Sequence, residues 1–417
     1  MDRYSALRLV REGLRGQSGW RPAWRAATPK RRYQVVVIGG GGHGLATAYY
    51  LAKVHKLTDV AVIERGWLGG GNTGRNTTVI RSNYYYPESV RLYDFALRLY
   101  EGLSRELNYN VMFSPRGMIT LVHSRHELES AARWVGAMRL NGVDTRMIDK
   151  AEIAQRIPAL DMRADARFPV AGGFIQARAG VARHDAVVWG YARGASALGV
   201  DIVETCEVTG FLGDPGRRID GVVTSQGEIR ADKVVMCVAG HSTELARRAG
   251  FELPITSYAL QAFVTEPVKP VLDVVALSTA TGAYLSQSDR GGLVIGGGLD
   301  LYPSYAQRGG LPTARKVLGA VADQFPAFAS IRLLRQWAGI VDVTHDSSPI
   351  LGASPARGLY LNCGWGTGGF KAIPAGGWLT AHHVARGEIH DIARPFTLDR
   401  FVSGALLDEA AASGIAH

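Results

Sequence analysis

The stretch from Gln34 to Gly44 constrains this chain more than any other. Val35, Val36, Val37 and Ile38 are four consecutive β-branched residues, the pattern of a strand buried on both faces. Gly39, Gly41 and Gly44 follow at once in the spacing G-x-G-x-x-G. Leu45 to Ala52 then reads as a helix, and Thr58 to Glu64 as a second buried strand. Each glycine has a physical purpose in such a β-α-β unit. The first allows a tight turn, the second lets backbone approach a pyrophosphate, and the third lets helix pack closely on strand. The helix start offers unpaired N–H groups and a partial positive charge to phosphate. Glu64 closes the second strand, where its carboxylate can accept from ribose hydroxyls. Strand, glycines, helix, strand and acid stand in register, and together they predict dinucleotide binding rather than a glycine turn without a ligand. Gly42 and His43 complete the cofactor-contacting candidates in this loop.

The fingerprint alone does not separate FAD from NAD; two further segments favour FAD. The polar loop from Asn72 through Arg75 to Thr78, with Ile80 just beyond it, is placed to meet an isoalloxazine ring. Near the other end, strand 359–363 runs into a glycine-rich stretch containing Gly366, Gly368, Gly369 and Lys371, followed by a helix from about Ala375. Such a helix start can bring N–H groups and dipole to the flavin pyrimidine edge, where reduction builds negative charge. Lys371 would add a full positive charge. Val208, at the start of a later strand, is a further candidate contact.

Residues 88–108, 126–141 and 313–324 read as helices, and 203–209, 219–224 and 233–240 as strands. Residues 256–304 alternate in places and carry turn glycines, as antiparallel strands do. The expected fold class is α/β: a Rossmann-type FAD-binding domain with an inserted α+β substrate domain built on a mixed antiparallel sheet. The expected divisions are a basic arm (1–32), a discontinuous FAD-binding domain (33–110, 170–255, 345–395), a substrate domain (111–169, 256–344) and a tail (396–417). A chain of 417 residues with 47% apolar and 20% charged residues supports two or three such domains and excludes disorder. Cys206, Cys237 and Cys363 are too sparse for a disulfide framework or a zinc cluster, so no metal is expected. They read as buried thiols of a cytoplasmic protein. No apolar run is long enough to span a membrane.

The net charge of +10 invites a nucleic-acid reading, but its distribution opposes one. The first 33 residues carry nine basic side chains against Asp2 and Glu12, leaving only +3 for the remaining 384. The excess is therefore an arm, not a basic groove on the body. It could be an organelle-targeting peptide, a binder of acidic polymers or membrane surfaces, or a segment lying on a partner subunit. Tyr4, Trp20 and Trp24 are anchors that suit the last.

Residues 38–51, 69–83, 182–186 and 362–371 resemble the beta subunits of heterotetrameric sarcosine oxidases, within the larger glycine-oxidase-like flavoenzyme family. The likeness runs from Arg3 to His417. It implies that noncovalent FAD serves the oxidation of sarcosine, and that a second flavin, FMN, is attached covalently to His184 at the interface with an alpha subunit. Electrons would pass from FAD to FMN and then to O2. The alpha subunit would also bind NAD and tetrahydrofolate, and gamma and delta subunits would complete the assembly. The cysteine that holds FAD in related monomeric oxidases has no counterpart between Trp337 and His345. Arg81 resembles the family's carboxylate-binding arginine, with Lys371 as the second candidate. An arginine matches a carboxylate bidentately. His184, which without the resemblance reads as a surface residue at a helix start, must be neutral to form a bond to flavin. Rival readings are a flavoenzyme acting on glycine, proline or dimethylglycine, and a degenerate flavoprotein that only relays electrons. The intact glycines, Glu64, Arg81 and Lys371 argue against the second.

Overall fold

A computed structural model describes residues 5–20 and 22–407. The strand Arg32–Ile38 lies inside an eight-stranded sheet, pairing in parallel with Gly227–Met236 on one side and Val60–Ile63 on the other. Asp201–Val203 continues the parallel order at one edge; Leu359–Cys363 continues it at the other, followed by antiparallel Ile350–Ala353. A hairpin of Val208–Asp214 and Arg218–Thr224 pairs antiparallel with Gly227–Met236. Val36 and Val37 are fully buried on opposite faces, as their continuous apolar run requires.

On one face pack the helices Gly42–His55, His184–Ala197 and Gly369–Arg386. The first and last cross closely: a Cβ on Gly377 would lie 2.4 Å from the Ala46 methyl. The other face is covered by the hairpin and the helix Ser242–Arg248.

The second sheet runs Leu333–Thr344, Ile255–Pro267, Gly292–Pro303, Tyr284–Gln287, Val275–Ser278, Met118–Val122, Gly172–Gln176 and Thr145–Ile148. Only the pair Val275–Ser278 and Met118–Val122 is parallel. The strand Gly172–Gln176, assigned from sequence to the FAD-binding part, belongs to this sheet. Its glycines are demanded by crowding, since a Cβ on Gly173 would sit 2.6 Å from the Thr120 carbonyl oxygen.

Three other local expectations need correction. The strand expected over 203–209 breaks at Glu204–Glu207, where Thr205 takes φ +54° and the Glu204 carboxylate accepts from the Leu68 N–H. The C-terminal helix starts at Gly369, not near Ala375, with Pro374 inside it. Proline has no N–H to give the Phe370 carbonyl, and the Tyr100 hydroxyl donates to it instead at 2.7 Å. The tail is anchored as far as Leu407: Arg400 makes a buried bidentate pair with Asp346 at 2.7 and 2.9 Å.

The arm divides in two. Trp24 Nε1 donates to Glu204, Arg25 pairs with Asp201, Lys30 pairs with Asp59, and Ala26 bridges Ile202. Residues 24–30 thus lie on this chain's own sheet edge, a departure from an arm spread wholly on a partner. Upstream, Ser5 caps the helix Ala6–Leu14, whose Leu7, Val10 and Leu14 are all exposed. Arg3, Tyr4, Arg21 and residues 408–417 lie outside the described residues.

Candidate functional site

A cavity of about 450 Å³ opens where the strand ends of the first sheet face the second. Ile38, Gly39 and Ile63 line it from one side, and Leu260, Ala262 and Val341 from the other. Of the residues singled out from sequence, Gly39, Gly41, Gly42, His43, Glu64, Asn72, Arg75, Val208, Gly366 and Gly369 border it. Gly44, Thr78, Ile80, Arg81, Gly368, Lys371 and His184 do not.

The glycines behave as the fingerprint demands. Gly39 takes φ +105°, and a Cβ there would lie 2.3 Å from the Cys237 carbonyl oxygen. A Cβ on Gly44 would lie 2.0 Å from the Gly39 oxygen, so the helix Gly42–His55 can approach its strand only without one. Glu64 accepts from the N–H groups of Gly40 (2.7 Å) and Gly66 (2.9 Å), which fixes the carboxylate at the cavity edge.

His43 is half-buried and stacks on Trp365 at 4.5 Å. Its Nε2 donates to the Gly369 carbonyl at 2.9 Å, and its Nδ1 has no partner among the described residues. Burial lowers its pKa to about 4, so the imidazole is neutral. This contact ties the fingerprint loop to the C-terminal glycine stretch.

The polar loop is tied to the second sheet rather than left free. Asn72 donates to the Ile340 carbonyl, Arg75 reaches Gln307 and its own loop, and Trp337 donates to the Arg75 carbonyl. Thr77 shares a 2.7 Å hydrogen bond with Tyr284, a cavity-lining side chain. Thr78 takes φ +68°, and Ile80 is buried in the short ladder Val79–Ile80 with Gly180–Val181.

Arg81 and Lys371 meet at Tyr84. The Arg81 guanidinium lies 4.6 Å over the Tyr84 ring and donates to Asn83. Lys371 Nζ donates to the Tyr84 hydroxyl and to the Thr367 carbonyl. Tyr84 stacks on Tyr93 at 3.9 Å, and Gly368 is glycine because a Cβ would meet the Tyr93 hydroxyl at 2.1 Å. Burial, and then the nearby Arg81, push Lys371 well below the usual lysine range. The full charge expected from sequence is therefore disfavoured until an anion joins the pair. Neither cation has an ion-pair partner among the described residues.

His184 opens the helix His184–Ala197 outside the main cavity. Burial lowers its pKa, opposed by Asp185, which itself is held by Arg183 at 2.6 Å.

Sequence reasoning missed Tyr84, Tyr93, Tyr284 and Asp342. The last had a visible signal: it is a single acid inside the apolar run from Ala338 to Val343. Asp342 lines the cavity, is 1% exposed, and accepts from the Gly364 N–H at 2.6 Å. Burial raises its carboxyl from 3.8 to about 7, although the N–H groups of Gly364, Trp365 and Gly366 oppose that shift. A carboxyl whose folded pKa is raised stabilises the fold most below its unfolded value and loses that contribution as pH rises. The stability of Asp342→Asn minus that of wild type, both as apoprotein in urea titrations, should therefore increase between about pH 4 and pH 7 and level off above. A difference independent of pH would contradict this assignment.

A parallel sheet, a glycine cradle at a helix start and an acid at the next strand end define a dinucleotide-binding oxidoreductase core. The sequence pattern of the FAD dependent oxidoreductase family matches residues 34–383, and the chain belongs to that family. It is 52% identical to the sarcosine oxidase subunit beta of Rhodobacter capsulatus over the whole of both chains. It is 50% identical to the same subunit of Rhizobium meliloti, over 98% of this chain and 97% of the relative. Among solved structures, the L-proline dehydrogenase of P. horikoshii superposes with TM-score 0.84 at 28% identity, covering 91% of this chain and 100% of that one. No helix among the described residues is long and apolar enough to cross a membrane.

Proposed function

We propose that this chain is the amine-oxidising beta subunit of a sarcosine oxidase. The 52% identity along its entire length to a subunit of that name carries the reading. The cradle fits noncovalent FAD: Gly39 and Gly44 leave no room for a Cβ, and the stretch 337–345 has no cysteine to bond it. FAD, when bound, supplies the electron-accepting chemistry; the protein supplies binding, orientation and electrostatics.

Sarcosine is a small zwitterion, and its carboxylate is the anion that Arg81 and Lys371 lack. Seated against Tyr84, it would restore charge to Lys371 and fix the N-methyl group relative to the cavity. The reactive amine is the uncharged form, and two cations close by favour loss of its proton. Removal of a hydride from the methyl group of the uncharged amine, with the bound FAD as the acceptor, would leave an iminium ion. Water converts it to glycine and formaldehyde, or tetrahydrofolate takes the one-carbon unit. The test is anaerobic addition of sarcosine to the FAD-loaded protein: the flavin absorbance should bleach with sarcosine. Bleaching with proline alone would favour a dehydrogenase of that substrate, as the name of the P. horikoshii relative suggests.

The wider reading places FMN covalently on His184, at an interface with an alpha subunit that also holds NAD and tetrahydrofolate. Oxygen is the final acceptor and hydrogen peroxide the product, and gamma and delta subunits complete the complex. The lowered pKa of His184 supports it, because a neutral imidazole is the nucleophilic form. Its position outside the FAD cavity suits a second flavin. Peptide mass mapping should find the adduct on the peptide containing His184, and His184→Ala should lose it while keeping FAD. An adduct on another residue would overturn the assignment.

A further inference from the structure

The second sheet ends in a recess of about 550 Å³ to which the proposed reaction gives no role. It shares no lining residue with the cofactor cavity. It forms where three strand ends meet: Gly117 precedes Met118–Val122, Ala177 follows Gly172–Gln176, and Asp144 precedes Thr145–Ile148. Four arginines line it: Arg116, Arg139, Arg146 and Arg156.

The local charges do not cancel. Glu152 pairs with both Arg146 and Arg156, at 2.5 and 2.8 Å. The Asp144 carboxylate accepts from Gln176 Nε2 and the Arg178 N–H. Among the described residues Arg116 meets only neutral acceptors, the Gln287 carbonyl at 2.9 Å and the Ser114 hydroxyl at 3.0 Å. Arg139 has no ion pair among the described residues. Four cations against two carboxylates leave an excess of two positive charges in a concave setting.

We propose that this recess is a binding site for a small dianion with oxygen acceptors, either inorganic phosphate or a dicarboxylate. Guanidinium forks match both geometrically, and the excess of two charges matches a dianion over a monoanion. The site is separate from the cofactor cradle and does not depend on the identity of the amine oxidised.

The test is isothermal titration, at low ionic strength, of the full chain carrying Arg81→Met and loaded with FAD, so that neither the proposed substrate-carboxylate site nor the pyrophosphate cradle takes up the probe. Inorganic phosphate, succinate and acetate are the probes. Phosphate or succinate should saturate a single site, and whichever does so identifies the source. Arg139→Gln, at an exposed position, should leave the thermal midpoint unchanged and weaken that binding about tenfold. Arg116→Gln provides a second variant, which removes the guanidinium held by the Gln287 carbonyl and the Ser114 hydroxyl. Weakened affinity in either variant supports the site. Unchanged affinity in both, equal binding of acetate, or no saturation up to about 10 mM overturns it.

Discussion

Replacing Gly44 by alanine should yield a folded chain that has lost its yellow colour. The added Cβ would lie 2.0 Å from the Gly39 carbonyl oxygen, and that contact is backbone against backbone, so no side chain can turn aside. Either the helix Gly42–His55 moves off its strand or the loop at Gly39 changes course, and each displaces the N–H groups meant for the pyrophosphate. Overpacking of this kind costs about 1–3 kcal/mol of stability, which a large domain can absorb. The loss to FAD affinity should be larger, on the order of 100-fold or more, because several phosphate contacts fail together. Flavin fluorescence after dialysis reads the affinity, and far-ultraviolet circular dichroism confirms the fold. A variant that retains stoichiometric FAD would show that this loop is not the cradle.

Replacing Arg81 by methionine should slow sarcosine-dependent flavin reduction by roughly three orders of magnitude at subsaturating substrate. Truncating one member of a buried, hydrogen-bonded charge pair costs about 2–5 kcal/mol. Here the loss is compounded, because Lys371 would face the carboxylate alone from a site where burial opposes its charge. The FAD spectrum should not change, since Arg81 does not border the cofactor cavity. Rapid mixing under anaerobic conditions separates the apparent dissociation constant from the limiting rate, and most of the effect should fall on the former. An unaltered dissociation constant would remove Arg81 from substrate binding and leave it as a partner of Asn83 and Tyr84.

The cradle was legible because all its parts lie within 31 residues and follow a local period: apolar strand, spaced glycines, helix, strand, acid. The residues proposed to hold the substrate were legible only through the resemblance, since nothing local distinguishes Arg81 from any other arginine. Tyr84 comes to Lys371 across 287 positions, and Asp342 reaches Gly364 from a different sheet. Such meetings are decided by topology, to which periodicity along one segment is blind. The strand Leu333–Thr344 escaped notice because its first half is exposed and carries Arg335 and Gln336, which blur the apolar pattern. The helix start at Gly369 was hidden by Pro374, whose missing hydrogen bond is supplied by a side chain 274 positions upstream.

The docked half of the arm has a consequence for how the molecule keeps to itself. Asp201–Val203 is the outermost strand on its side, and an uncovered border strand offers free amides and carbonyls to any passing chain. Ala26 lies against that border at Ile202, and Arg25 and Lys30 converge on Asp201, which also accepts from the Tyr33 hydroxyl. A cut upstream of Trp24 would leave this hem intact. A cut beyond Lys30 would strip it, expose a template for cross-chain pairing, and leave a sunken aspartate without either of its cations.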